Sequence, residues 1–83
     1  MLTGMKNHYS SKFGRCYLLV SWESPSGSGF EVHALLDAFE NRTVAMHAGR
    51  SPNSYGACAI YAGAEPTFNC DATREFIKDR MSN

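Results

Sequence analysis

The chain has 83 residues, with eight Lys or Arg against eight Asp or Glu and no formal net charge. That length makes residues 1–83 a single domain whose small core calls for a staple. The scattered basic residues exclude a clustered nucleic-acid footprint. No apolar stretch approaches the roughly 20 residues of a membrane span, and residues 1–4 are expected to be non-native or a truncated leader rather than a signal peptide.

Met5, Tyr9 and Phe13 recur one helical turn apart. This spacing predicts a short N-terminal helix over residues 5–13, with Gly14 as its stop. Residues 15–23 read as the best strand. Cys16, Leu18, Val20 and Trp22 share one face, and Tyr17, Leu19, Ser21 and Glu23 the other. The first set is the more apolar and is expected to face the core. Residues 24–29, rich in Ser, Gly and Pro, form a loop.

Residues 31–49 read as a β-hairpin with its tip at Glu40-Asn41-Arg42, where Asn suits a left-handed turn. His33, Leu35, Asp37 and Phe39 alternate with Val32, Ala34, Leu36 and Ala38. On the return arm Val44, Met46 and Ala48 alternate with Thr43, Ala45 and His47. A short tip sets Phe39 against Val44 and Leu35 near Met46 and Ala48, and the same parity puts His33 and His47 on opposite faces. The rival reading of the first arm is a helix with Ala34, Leu35, Ala38 and Phe39 as its stripe.

Residues 50–54 form a second loop, and residues 55–62 a strand with Cys58 and Ile60 opposite Ala57, Ala59 and Tyr61. A turn at 63–66 leads to an extended 67–70. Asp71 then caps a helix over 72–81 that buries Phe76, Ile77 and Met81. The expected fold is α+β: a four-stranded antiparallel meander sheet with the C-terminal helix and the short N-terminal helix packed on one face. Its 24–29 and 50–54 loops emerge at one end, and the hairpin tip and the Pro66 turn at the other.

Cys16, Cys58 and Cys70 form no CxxC pair and no zinc-site spacing with the histidines, so no metal or cofactor is expected. If residues 67–70 run back beside the last strand, Cys58 and Cys70 come opposite one another, and a bridge there ties the helix to the sheet. Cys16–Cys70 is the second pairing. The odd cysteine is then buried and free, or bonded outside this chain. Without any bridge, three buried thiols in a cytoplasmic protein is the alternative.

The run from His8 and Tyr9 to Cys16, then Leu35, Asp37, Ala38, Phe39 and Glu40, then Cys58, and Cys70 ahead of Glu75 and Phe76, resembles a group of small exported bacterial proteins without an assigned activity. The resemblance spans most of the chain in short motifs. It implies a periplasmic or secreted location.

Two function classes remain open. The first is a non-catalytic binding domain with Trp22, Arg50 and Tyr55 near the loop end as its surface, or one that meets a protein partner or a second copy through a sheet face or edge. The second is a small thiol-dependent or hydrolytic enzyme using Cys16 or Cys58 with a histidine. Both cysteines fall mid-strand on apolar faces, where thiols are inert, which favours the first class. Asp37 lies among Leu35, Phe39 and Met46 and is expected to be a strand-edge charge near solvent, with pairing to a basic group or to backbone donors as the alternative. Residues 41–43 fit a glycosylation sequon.

Overall fold

Alternating apolar residues pair across five antiparallel strands in simple chain order: β1 (Leu2–Ser10), β2 (Arg15–Glu23), β3 (Glu31–Asp37), β4 (Arg42–Gly49) and β5 (Tyr55–Ile60). One helix, α1 (Cys70–Ser82), follows. The computed structural model describes residues 2–24, 29–50, 55–61 and 63–82. Of the expected loops at 24–29 and 50–54, residues 25–28 and 51–54 lie outside the described residues.

The α+β class, the antiparallel meander and the C-terminal helix follow the sequence reading. The N-terminal helix does not form, and residues 2–10 are instead a fifth strand beside β2. An isolated helix of two turns is marginal in water. Pairing with β2 bonds the inward-facing backbone groups from Leu2 to Ser10 apart from a bulge between Leu2 and Gly4, and Met5, Asn7 and Tyr9 alternate with Lys6, His8 and Ser10 as a strand requires. Gly14 does adopt a left-handed φ of 64°, but it closes the β1–β2 turn, donating its N–H to the Ser10 carbonyl at 2.7 Å.

The β3–β4 hairpin turns at its expected tip, where Asn41 has φ 54° and donates its N–H to the Asp37 carbonyl at 2.8 Å. Its inner register differs from the expected one. Leu36 pairs with Thr43, but Leu35 pairs with Ala45, so Val44 is an extra residue in β4. Such a bulge reverses side-chain parity from that point on. Leu35 and Ala45 are fully buried together, and Phe39 lies outside β3 and is largely exposed. Leu35 therefore does not sit near Met46 and Ala48, and Phe39 does not pack on Val44.

α1 covers one face of the sheet, against β4, β5, β1 and β2. Its start is fixed by the disulfide Cys58–Cys70, with Cα atoms 5.0 Å apart. The chain returns beside β5 through a mutual backbone pair between Ile60 and Thr67, at 2.8 and 2.9 Å. Asn69, not Asp71, caps the helix. Its Oδ1 accepts the Ala72 N–H at 2.9 Å, and its carbonyl accepts the Thr73 N–H at 2.9 Å and the Thr73 hydroxyl at 2.7 Å. Asp71 pairs instead with Arg74 at 2.6 Å in the first turn. At the other end, the Arg80 guanidinium lies over the Phe76 and Phe13 rings and Lys12 bridges to Asp79, which ties the helix to the β1–β2 turn.

The core is Tyr17, Leu35, Val44, Ala45 and Ile77, with Phe13, Leu19, Phe76 and Met81 packed on it. The β2 face turned to the helix is thus the one carrying Tyr17 and Leu19, not the expected Cys16, Leu18, Val20 and Trp22. Register explains the choice. Cys58 must point to the helix it is bonded to, and pairing carries that side through His47 and His33 to Ser21, and so to Leu19 and Tyr17.

Candidate binding surface

Two unlike faces result from this register. The helix side holds every charged residue of the five strands: Lys6, Arg15, Glu23, Glu31, Asp37 and Arg42. It also holds the buried polar groups Ser10, Asp37, His47 and Thr73. The opposite face is not covered by a helix among the described residues, and its strand positions carry no charge.

Across the middle of that open face runs the row Met5, Val20, Ala34, Met46 and Ala59. One row nearer the loop end are Trp22, Val32, Ala48 and Ala57; one row nearer the tip are Asn7, Leu18, Leu36 and Thr43. Several of these side chains stand well into solvent: Met5 and Tyr9 at 61% exposure and Trp22 at 57%. The Ile60–Thr67 pairing puts Phe68 opposite Ala59 at the β5 edge, where it is 74% exposed. At the tip end lies a groove lined by Tyr9, Phe13, Cys16, Ala38 and Phe39 together with the charged Arg15 and Glu40. A contiguous apolar sheet face of this extent is unusual on a domain that works alone in water.

Of the residues expected to form a binding surface, Trp22 lies on this face, opposite Val32 on β3. Arg50 follows β4 directly and is exposed, and Tyr55 begins β5 opposite Gly49. All three are at the loop end, as the meander requires. They do not form one cluster: β3 and β4 separate Trp22 from Tyr55, about 14 Å at strand spacing. Met5, Leu18, Val20 and Phe68 are not legible in the sequence as parts of one open surface, because the pattern puts Leu18 and Val20 on the core side of β2, Met5 on a helix and Phe68 in an extended segment of no assigned face.

The charged groups at the hairpin tip are matched to one another. Asp37 is almost fully buried, and its Oδ2 meets Arg15 Nη1 at 2.6 Å while its Oδ1 accepts the N–H groups of Phe39 at 2.9 Å and Glu40 at 3.1 Å. It is not a strand-edge charge near solvent. Burial pushes its carboxyl up, but the Glu40 backbone donor, the Arg15 guanidinium and the Phe39 backbone donor outweigh it and hold the carboxyl below its ordinary value. Arg15 also reaches Glu40 at 3.1 Å, and Arg42 reaches the same carboxylate at 3.0 Å. Asp37 thereby builds the hairpin tip.

His33 and His47 share the helix side, contrary to the expected opposite faces, because the Val44 bulge shifts the parity between them. His33 Nδ1 lies 2.9 Å from Ser21 Oγ, and its Nε2 lies 3.4 Å from Glu31 Oε2.

The cysteines divide between the two faces. Cys58 is consumed by the disulfide, so its thiol is not a nucleophile. Cys16 is free and exposed rather than buried, and pairs across the strands with Tyr9 on the open side. The three histidines fall on the other side of the sheet by register, His8 opposite Tyr17, and His33 opposite both Ser21 and His47. The sheet itself thus separates the free thiol from every imidazole.

No family profile, curated protein or solved structure matches the chain. Among the described residues no group of side chains is arranged to hold a metal ion, and no helix is long and apolar enough to cross a membrane.

Proposed function

We propose that this protein is a small, exported, disulfide-stapled binding domain without catalytic activity, whose working surface is the open face of its sheet. The observation that carries the reading is the distribution of charge. Every ionised strand residue lies on the side the helix covers, and the uncovered side carries no charge on its strands and is largely apolar from Met5 on β1 to Phe68 beside β5, with Asn7 and Thr43 as its polar positions. A face in permanent contact with water has no reason to exclude charge so completely, whereas an interface core is depleted of it. The Cys58–Cys70 bridge supports export, since such bonds persist in oxidising compartments and staple domains of this size.

The reading is tested by placing charge on the face. Val20→Lys and Leu36→Lys are expected to lower unfolding stability by under about 1.5 kcal/mol in dilute protein, because the long side chain extends into water. Leu35→Ala, in the core, is expected to lower it by about 3 kcal/mol. If the two lysine variants are as damaging as the core truncation, the face is interior and the proposal fails.

A further inference from the structure

We infer that the occupant of the open face is a second copy of this chain, docked face to face about a two-fold axis that runs along β3. The inference rests on the binding-surface reading above and names its partner.

Three observations carry it. The first is shape. The β1–β2 half of the face is bulky, with Met5, Leu18, Val20 and Trp22, whereas the β4–β5 half sets the small Ala48, Ala57 and Ala59 between Met46 and, at the edge, Phe68, with Ala48 and Ala59 already buried by their own neighbours. Rotation about β3 exchanges the halves and keeps the rows. Trp22 of one copy then lies over the row of Ala48 and the exposed Ala57 of the other, Met5 lies over the Ala59 position beside Phe68, and Val20 lies over Met46. Ala34, midway along the central strand, meets its own equivalent at the axis, as do Val32 and Leu36 on either side of it. An isologous interface needs a patch complementary to itself in this way.

The second is charge. Acidic, basic and phosphate-bearing partners require ionic groups to be recognised, and the face offers none on its strands. A second face that also lacks charge desolvates without leaving an ion unpaired.

The third is area. Five strands at about 4.8 Å spacing, each giving some seven residues at about 3.3 Å, supply roughly 550 Å² of plan area, or roughly 1,100 Å² for two copies. That clears the roughly 1,000 Å² expected of a specific interface but stays at its lower end. The association is therefore expected to be reversible, with Kd in the range of about 1–100 μM. Two apolar sheet faces also pack at an ordinary spacing of about 10 Å, as the layers of a β-sandwich do.

The test is sedimentation equilibrium of the oxidised full chain from about 1 to 500 μM, with Trp22 emission followed on the same samples. The wild type is expected to pass from 9.2 kDa to twice that mass, with emission moving to shorter wavelength as Trp22 leaves water. Ala34→Lys and Ala34→Glu are each expected to weaken the dimer at least about tenfold, and an equimolar mixture of the two to regain it, since the axis sets the two substitutions together. Retained circular dichroism and an intact disulfide confirm folding, and Trp22→Lys provides a second variant at an exposed site. A dimer that survives Ala34→Lys and Trp22→Lys overturns the inference. A wild type that stays monomeric but binds the apolar dye anilinonaphthalene sulfonate, with binding lost in Val20→Lys, also overturns it and leaves the face as a surface for another protein. A monomer that binds no dye overturns both this inference and the binding-surface reading.

Discussion

His33 and His47 stand directly opposite one another on β3 and β4, their ring centroids 4.9 Å apart and their planes tilted by 37°. Burial, then the neighbouring His33 and then Arg74, lower the His47 pKa from 6.5 to about 4. The folded protein therefore refuses a proton that the unfolded chain accepts. Stability is fully present above the unfolded value near 6.5 and falls as pH drops from there towards about 4. After allowance for screening by solvent, the loss is on the order of 1–2 kcal/mol. Denaturant unfolding at pH 7.5, 6, 5 and 4 measures it. His47→Gln is expected to flatten the profile over this window, and an unchanged slope in that variant would assign the pH dependence to other groups.

Asp37 holds the hairpin tip through Arg15 and two backbone N–H groups. Asp37→Ala leaves those donors without their acceptor in a buried site and is expected to lower stability by about 2 kcal/mol. Asp37→Asn keeps an acceptor for the two backbone N–H groups but turns an amide NH2 towards Arg15, losing that charge-assisted hydrogen bond, about 1.5 kcal/mol. Because the folded carboxyl is held below its ordinary value of 3.8, its contribution is present above that pH and is lost as pH falls through the lower folded value. Acid unfolding between pH 4 and 2 should be shallower in Asp37→Asn than in the wild type.

The disulfide spans a sequence separation of 12 residues and joins β5 to the first residue of α1. Its removal in a Cys58→Ser/Cys70→Ser chain is expected to lower stability by about 3 kcal/mol. Thiol labelling of the native, unreduced protein is expected to modify Cys16 alone, since that cysteine is free and exposed. Peptide mass mapping that finds three labelled thiols in protein taken from an oxidising compartment would remove both the staple and the main physical argument for export.

Asn69 satisfies the first turn of α1 with its side chain. Asn69→Ala is expected to lower stability by about 1 kcal/mol, and Asp71→Ala, whose partner is the exposed Arg74, by under about 0.5 kcal/mol. Equal losses at the two positions would return the cap to Asp71.

Much of the architecture is local and therefore legible in the residues. Alternation marked β2, β3, β4 and β5, Asn41 marked the hairpin tip, and the short turn before Thr67 brought Cys70 opposite Cys58. Met5, Tyr9 and Phe13 misled because their spacing serves a helix as well as a strand; the choice depends on whether a neighbour supplies hydrogen bonds, and β2 does. The surface residues were misassigned for a similar reason. On β2 the more apolar set is Cys16, Leu18, Val20 and Trp22, yet the set beside it, with Tyr17 and Leu19, is the one the helix covers.

The sequence by itself marked β2 to β5, the hairpin tip and the C-terminal helix, because each depends on a few adjacent residues, and it ranked Cys58–Cys70 ahead of Cys16–Cys70 without deciding between them. Only the tertiary structure decided which face is covered. Side chains alternate with a period of two, so one extra residue at Val44 sets His33 beside His47 and Leu35 beside Ala45. One disulfide then selects, through that register, the side on which the helix lies. An apolar stripe in a sequence states that a face avoids water, and the fold alone states whether the chain covers that face itself or leaves it to a partner.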